Sequence, residues 1–359
     1  MANALETPLR EQLDRLATFD AADDPVISLY LDMRPDQNGR PNYTPFLRKA
    51  LPERAGPLTG SARASFDRDT ARITAFLEQD VRKSANGLAI FACAARDDFF
   101  EAVQLEAPVE EHQLFIGPVP HLYPLARLND QFPRYAALLV NTNSARLFIF
   151  GLGTTQARQE VVNVKTRRTM MGGWSQARYQ RHIENFHLLH MKEVVDVLER
   201  VVREEALTQI VVACDEVARP ILMDQLPKHL AEKVVDVLAL DIRTPEHEVL
   251  AETLEALRVQ DAQTDSEQVE AMLGAWRAGG LGVAGPVPTK RALEMGQVEE
   301  LIITAVPTVL KASSPDGAQA LANELVTLAQ QTSARIRFIE DPALLADVGG
   351  AGALLRFRI

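Results

Sequence analysis

The chain has 359 residues, a formal net charge of −11 and a hydrophobic content of 47%, a composition typical of globular proteins and not of disordered chains. Its length predicts two or three domains, because single hydrophobic cores stop growing at about 250 to 300 residues. No apolar run approaches the roughly 20 residues that span a bilayer, and the N-terminus lacks the pattern of a secretion signal. We therefore expect a cytoplasmic protein without a membrane partner, and the acidic balance disfavours broad binding to DNA or RNA.

The first 130 residues predict an α+β domain. Amphipathic helical spacing alternates here with β-branched and aromatic runs. Helices are predicted at 8–19 and 61–81 with another before Gly56, and strands are predicted at 26–31, 87–93 and 99–105. The prolines of 118–124 predict a linker, and we place the domain boundary near 127–133.

Residues 131–280 predict an α/β domain, because strands and helices alternate along them. Strands are expected at 135–150, 209–214 and 234–239, and helices at 175–203, 218–226 and 245–278. The run 209–214 is wholly apolar, as is typical of a strand buried on both faces of a sheet. Glycines and prolines at 276–288 predict a linker that ends this domain.

Residues 281–359 predict a small α/β/α domain. Thr289 is the predicted N-cap of a helix at 290–297. Strands are expected at 301–306 and 334–339, and helical segments at 318–331 and 342–345. The whole chain is thus predicted to combine an α+β domain (1–130), an α/β domain (131–280) and an α/β/α domain (281–359).

The cysteines and histidines do not predict a metal site. Cys93 and Cys214 lie inside apolar runs and are interpreted as two buried thiols. Three histidines follow one another on the long helix but lack the i, i+4 pair of a zinc-binding helix, so we interpret them as solvated or RNA-facing. They are His182, His187 and His190. Asp215 is interpreted as an acidic helix cap, and we expect neither a metal nor a cofactor.

The segment 165–203 combines a flexible loop with a rigid helix. Gly172 and Gly173 predict a loop, because glycine loses the most backbone freedom inside a helix. The helix that follows is predicted to be amphipathic, since apolar residues recur at steps of three to five. They are Tyr179, Ile183, Phe186, Leu189, Val194, Val197 and Val201.

Positive charge is concentrated around this loop. Between Ala157 and Lys192 there are seven Lys or Arg residues and two acids, a local net charge of +5 in an acidic chain. This pattern predicts contact with an anionic partner, and phosphate is favoured because a helix begins there. The candidate RNA-binding residues are Lys165, Arg167, Arg168, Trp174, Arg178, Arg181 and His182. On spacing alone, a solvated helix face after an ordinary glycine turn is an equally good interpretation.

Three stretches resemble one known family, in its order and at its spacing. Residues 172–178 with Arg181 are similar to the Gly-Gly-Gln-Ser-Ala-x-Arg loop and helix of archaeal and eukaryotic class-I peptide release factors. Residues 135–150 resemble the strand pair that opens the same domain, and 345–357 resemble the end of the third domain. By this resemblance, which covers the chain from about Tyr135 onward, the protein is identified as a bacterial member of the archaeo-eukaryotic release-factor superfamily, which also includes Pelota and Balon.

The resemblance implies a function for the loop, and the sequence departs from the family at one position. In the resembled factors the glycines let the loop enter the peptidyl-transferase centre, where the glutamine helps a water cleave the peptidyl-tRNA ester. Trp174 stands at that position, and an indole has one donor and no acceptor with which to orient water. It can stack on RNA bases instead, and Gln176 remains as a nearby polar group. The stop-codon tetrapeptide Asn-Ile-Lys-Ser is absent, so we expect no codon reading.

The sequence therefore predicts a ribosome-associated factor that fills the A site in ribosome hibernation or rescue. Gly172, Gly173, Trp174 and Gln176 are the candidate residues for chemistry at the tip. Peptidyl-tRNA hydrolysis through the same loop is the alternative, and a protein-interaction module that has lost the ribosome is a third. The expected partners are ribosomal RNA of the A site and peptidyl-transferase centre, with tRNA and a translational GTPase as further candidates.

Overall fold

The structure is a computed structural model that divides into two compact units. It describes residues 9–358 except 23, 38, 106, 153 and 163–175, and at 154, 160–162 and 176–184 it describes the backbone only. The first unit comprises Met1–Gln131 together with Thr264–Ile359, and the second comprises Phe132–Gln263. The fold is mixed α/β, as the sequence predicts.

The N-terminal stretch of the first unit forms an antiparallel sheet. Its elements are α1 (Leu9–Ala17), β1 (Val26–Asp32), α2 (Thr44–Ala55), α3 (Gly60–Gln79), β2 (Gly87–Cys93), β3 (Phe99–Leu105), β4 (Gln113–Gly117) and α4 (Tyr123–Gln131). The strand order is β3-β2-β1-β4. One face of β1, with Leu29 at its centre, packs against Phe66 and Ile73 of α3. Helices α2 and α3 thus cover this face of the sheet with a continuous apolar core.

The second unit is a five-stranded mixed sheet with helices. Its elements are β5 (Tyr135–Val140), β6 (Ser144–Gly151), β7 (Thr154–Val162), α5 (Gln176–Glu204), β8 (Ile210–Cys214), α6 (Ala218–Gln225), α7 (Lys228–Ala231), β9 (Val234–Leu238) and the first part of α8 (Glu246–Arg277). The strand order is β7-β6-β5-β8-β9. Strands β5, β8 and β9 are parallel, and β6 and β7 run antiparallel to their neighbours. Every residue of β5 and β8 is buried, which explains their uninterrupted apolar sequences.

The C-terminal stretch of the first unit forms a second small sheet. Its elements are β10 (Gly282–Ala284), α9 (Pro286–Glu294), β11 (Val298–Thr304), α10 (Pro315–Gln331), β12 (Arg335–Ile339) and β13 (Ala351–Leu355), with 3-10 turns at Pro307–Val309 and Pro342–Val348. The strand order is β10-β13-β11-β12. Glycine is required at position 352 of β13, because a Cβ there would lie 2.8 Å from the backbone carbonyl oxygen of Val283 in the neighbouring strand β10.

The two stretches of the first unit are joined by buried polar contacts. The hydroxyl of Tyr123 in α4 donates to the carbonyl of Thr304 at the end of β11, at 2.5 Å. The backbone N–H of Phe338 donates to the carboxylate of Asp130 at 3.2 Å. Hydrogen bonds between residues about 180 to 210 positions apart show that the stretches share one core.

Several sequence expectations need correction. The segment after Gly279 is not only a linker, because residues 282–284 form β10. Thr289 is not an N-cap, since α9 begins at Pro286 and Thr289 is buried within it. Strands β4, β7 and β13 and helices α4 and α7 were not predicted. Each of the three sheets lies within one of the three predicted domains, and the three-domain division itself stays a prediction.

Candidate functional site

The predicted site falls largely on the part of the chain that the structure does not describe. Lys165, Arg167, Arg168, Gly172, Gly173 and Trp174 lie outside the described residues. Gln176, Arg178, Arg181 and His182 belong to the first two turns of α5, whose backbone is described and whose side chains there are not. The geometry of the site therefore rests on the strand that precedes the loop and on the helix that follows it.

Strand β7 determines where the chain leaves the sheet. It pairs with β6 along its whole length, from Gly151 opposite Thr154 to Ser144 opposite Val162. Ser144 immediately follows the turn between β5 and β6, and β5 ends beside Cys214 of β8. The chain thus leaves β7 at the edge where the parallel strands β5 and β8 end. In open α/β sheets, this carboxyl edge is the usual position of functional sites.

The turn at that edge is held by one side chain. The Oδ1 atom of Asn141 accepts hydrogen bonds from the backbone N–H groups of Asn143 and Ser144 at 2.9 and 2.8 Å. It also accepts a bond from the hydroxyl of Ser144 at 3.1 Å. Asparagine favours such turns because its short carboxamide can replace a backbone acceptor. The carboxyl edge next to the end of β7 therefore carries a polar turn whose conformation is held by these hydrogen bonds.

Among the described side chains of α5, burial begins at His190. The buried side chains of α5 recur at helical spacing and belong to the core of the second unit. They are His190, Met191, Val194, Val195, Leu198, Val201 and Val202. Between Asn185 and Leu189 no side chain is buried, and Leu189 is 67% exposed. Leu189 was predicted to lie on the apolar face, and this expectation is wrong.

The first half of α5 extends past the sheet. His190 lies beside the β5–β6 turn at the carboxyl edge. Hydrogen bonding with the backbone of Ser144 and Asn141 raises the pKa of its imidazole, which places the ring next to this turn. From there the helix returns towards the opposite edge, where β8 starts at Ile210. Gln176 and His190 are 14 positions apart, which corresponds to about 21 Å along the helix at 1.5 Å per residue. The helix therefore begins well beyond the carboxyl edge, directly after the predicted Gly-Gly loop.

His190 is not the solvated or RNA-facing histidine that its sequence suggested. It is 1% exposed, and burial lowers the pKa of its imidazole below the usual value, so the ring is neutral near pH 7. His187 is half-buried, with its ring 6.3 Å from that of Phe186. In the described part of the chain, no group of His, Cys, Asp and Glu side chains has the arrangement of a metal site.

Two arginines of the β6–β7 hairpin have different environments. The guanidinium of Arg146 lies 4.8 Å from the ring centre of Phe148 and donates from Nη1 to the carbonyls of Ile242 and Thr244 at 2.9 and 2.7 Å. Burial lowers the pKa of Arg146, and the nearby Arg158 lowers it further. Arg146 is thus a structural cation, whereas Arg158 is exposed on β7 in the cationic stretch before the loop.

Asp215 and the two cysteines confirm their sequence interpretations. The carboxylate of Asp215 accepts hydrogen bonds from the backbone N–H groups of Val217 and Ala218 at 3.1 and 2.7 Å, as expected for an acidic cap at the start of α6. Cys93 and Cys214 are buried free thiols, and burial raises the pKa of each. These groups stabilise the fold and do not form a reactive centre.

The second unit thus combines a five-stranded mixed sheet with a long helix, α5, whose backbone begins beyond the carboxyl edge of the parallel strands. Residues 120–258 match the family described as "Bacterial archaeo-eukaryotic release factor family 10". The match covers 139 of the 359 residues and supports the resemblance to the archaeo-eukaryotic release factor superfamily on which the sequence prediction rests. A comparison of the sequence with curated proteins gives no match.

Solved structures of related factors are similar over most of the chain. The archaeal translation termination factor aRF1 is 18% identical, with 97% of each chain covered and a TM-score of 0.28. Dom34 of S. cerevisiae is 12% identical over 80% of this chain and 93% of that chain, with a TM-score of 0.43. An archaeal Pelota, solved bound to the ribosome with ABCE1, is 16% identical over 98% and 94%, with a TM-score of 0.43. At these identities and scores we draw no functional conclusion from the likeness.

In the described part of the chain, the helices are all too short or too polar to cross a membrane.

Proposed function

We propose that this protein is a release-factor-like factor that binds the ribosome in the cytoplasm and occupies the A site without reading a stop codon. Its loop would point towards the peptidyl-transferase centre, in ribosome hibernation or rescue. The observation that carries the proposal is the extension of α5, whose backbone begins about 21 Å before His190, the first residue of the helix that is buried among those whose side chains are described. A rigid helix of that length can carry a loop away from the body of the protein and into a narrow site.

The distribution of charge supports an RNA contact at the same place. A local net charge of +5 between Ala157 and Lys192 contrasts with −11 for the whole chain. An acidic protein is repelled by RNA over most of its surface, so binding would be confined to this segment. The first turn of α5 contains no acid, which leaves its N-terminal N–H groups and helix dipole favourable for phosphate.

The residue at the tip favours occupancy over hydrolysis. An indole at position 174 offers a large flat face and a single donor, whereas a carboxamide can both donate to and accept from a water. Stacking on an RNA base is worth about 1 to 3 kcal/mol. A hydrolytic role would have to rely on backbone donors near Gly173 and on Gln176, and this is the second candidate function.

Two measurements on the full chain separate these functions. In co-sedimentation with purified ribosomes, we expect binding that competes with A-site tRNA and weakens as salt rises. With ribosomes that carry peptidyl-tRNA, we expect peptide release no faster than in buffer. Failure to co-sediment at low salt would contradict the proposal and favour an interaction module, and rapid peptide release would assign hydrolysis.

A further inference from the structure

The end of the C-terminal sheet at which β10, β11 and β12 begin and β13 ends carries exposed apolar side chains. Four large ones are each about half exposed, although such residues are usually buried. They are Trp276 at 46%, Leu281 at 45%, Met295 at 46% and Phe357 at 47%. All four belong to the first unit and lie outside the loop site described above.

Backbone contacts bring these side chains to one edge. The N–H of Leu355 donates to the carbonyl of Leu281 at 2.9 Å. The N–H of Arg356 donates to the carbonyl of Gln297 at 2.8 Å, which places the turn after Met295 beside the end of β13. A Cβ at Gly282 would lie 2.4 Å from the backbone nitrogen of Trp276, so β10 begins directly against the last turn of α8. Phe357 thus lies at the same edge as the 276–281 segment.

Three exposed arginines alternate with the aromatic residues. Arg277 follows Trp276, and Arg356 and Arg358 flank Phe357. Two of them are held by main-chain carbonyls, since Arg356 donates from Nη2 to Ser333 at 2.8 Å and Arg358 donates from Nη1 to Gly279. A guanidinium has five N–H donors, so such anchoring leaves most of them available. We call these seven residues (Trp276, Arg277, Leu281, Met295, Arg356, Phe357 and Arg358) the basic-aromatic surface.

The positive charge of this surface is not neutralised nearby. None of its three arginines forms an ion pair with another described residue. The acids nearest this end have other partners, since Glu294 lies 3.9 Å from Lys290, Glu299 lies 3.0 Å from Arg335 and Glu300 lies 3.1 Å from Arg337. An unneutralised cationic surface in a chain of net charge −11 indicates an anionic partner.

We propose that the basic-aromatic surface binds single-stranded RNA, with bases stacked on Trp276 and Phe357 and phosphates held by the adjacent arginines. Each nucleotide presents a flat base and an anionic phosphate, which matches the alternation of aromatic and arginine residues along both segments. An acidic peptide would satisfy the arginines but would need apolar side chains that fill hollows, whereas a base needs only an exposed ring face. This inference does not depend on the proposed function of the loop.

The test uses the full chain with Arg178→Glu and Arg181→Glu introduced to suppress binding at the loop site. Fluorescence anisotropy with a fluorescein-labelled oligouridine of 12 nucleotides measures the affinity at several salt concentrations. We expect Trp276→Ala and Phe357→Ala each to weaken binding about 5- to 100-fold, the range for loss of one stacked base. The double change Arg356→Ala with Arg358→Ala should reduce the salt dependence.

Matched controls and a second readout make the test decisive. Val287→Ala changes an exposed apolar side chain of the same C-terminal stretch, and Arg291→Ala changes an exposed cation of α9, so both should leave the affinity unaltered. Circular dichroism checks that every variant is folded. Photocrosslinking with 4-thiouridine should mark peptides that contain Trp276 or Phe357. Absence of oligouridine binding, unchanged affinity in the aromatic variants, or tighter binding of a labelled polyglutamate would each overturn the proposal.

Discussion

Asn323 of α10 accepts a hydrogen bond from the backbone N–H of Leu122 at 2.6 Å, although the two residues are 201 positions apart. Its carboxamide also donates from Nδ2 to the carbonyl of Pro120 at 3.2 Å. The side chain is 6% exposed, and so it satisfies backbone groups that water does not reach. One residue of the C-terminal stretch therefore fixes the path of the chain as it enters α4.

Replacement of Asn323 should destabilise the first unit strongly. In Asn323→Leu the volume is kept, but the N–H of Leu122 and the carbonyl of Pro120 lose their partner. We expect a loss of about 2 to 4 kcal/mol, because each unsatisfied buried polar group costs about 1 to 3 kcal/mol. Urea denaturation monitored by circular dichroism measures this loss of unfolding free energy. Gln319→Ala, which changes a residue of the same helix that is not buried, is the control, and equal stability of the two variants would refute the assignment.

His121 should make the stability of the protein depend on pH. Its ring is stacked 3.6 Å from that of Phe115, and burial lowers its pKa to about 3. In the unfolded chain a histidine titrates near pH 6.5, so between pH 6.5 and 3 the unfolded state binds one proton more than the folded state. Stability should consequently fall with decreasing pH in this window, by about 1.4 kcal/mol per pH unit from this residue.

The variant His121→Phe isolates that contribution. It keeps a ring against Phe115 and the backbone hydrogen bonds of residue 121, with the hydroxyl of Tyr30 and with Ser28. We expect a shallower loss of stability below pH 6.5, measured by urea denaturation at a series of pH values. His247→Phe serves as the control, because His247 is exposed and should leave the slope unchanged. The same slope in His121→Phe and in the parent chain would contradict the prediction.

The sequence predicted those elements whose residues face one continuous core. Strands β1, β2, β5 and β8 are buried on every residue, so their apolar runs have no other explanation. Strand β7 was missed because it lies at the edge of its sheet and its residues from Gln156 to Gln159 are exposed, and three of these four are polar. Strand β13 was also missed, because the backbone of Val283 imposes glycine at position 352 and the resulting run of small residues looks like a loop.

The sequence predicted the start of α5 but not its reach, and the site at the loop stays a prediction. The glycines indicated where the helix begins. The reach of α5 depends on where the sheet ends relative to His190, and no local pattern contains that information. For the same reason Leu189 was placed on the apolar face: it lies three residues after Phe186, but the sheet does not extend far enough to cover it.

The boundary between the two halves of α5 can be tested with one pair of leucines. Leu198 is fully buried in the core of the second unit, and Leu189 is 67% exposed. Leu198→Ala should cost about 2 to 5 kcal/mol, the range for a leucine removed from a packed core. Leu189→Ala should change the free energy of unfolding by less than about 0.5 kcal/mol. Thermal and urea denaturation compare the two, and similar losses would show that the sheet covers both positions.

Charge reversal at the start of α5 should weaken ribosome binding. In Arg178→Glu with Arg181→Glu, the lost phosphate contacts should lower the affinity and make it less sensitive to salt, because fewer counterions are released. Arg203→Glu, which changes an exposed arginine at the other end of the helix, should have little effect. Co-sedimentation with ribosomes at several salt concentrations measures both. An unaltered salt dependence in the double variant would remove the basis for an RNA contact at the loop.

The residue at the tip distinguishes occupancy from hydrolysis. If the loop acts by occupancy, Trp174 contributes stacking area, and Trp174→Ala should shorten residence on the ribosome while peptide release stays as slow as before. If the loop acts by hydrolysis, Gly173→Ala should abolish release by excluding conformations with positive φ, and Trp174→Gln should accelerate it by restoring a carboxamide. We expect the first pattern. Dissociation rates from immobilised ribosomes and single-turnover peptide release measure the two properties, and rapid release that is lost in Gly173→Ala would make this protein a hydrolase.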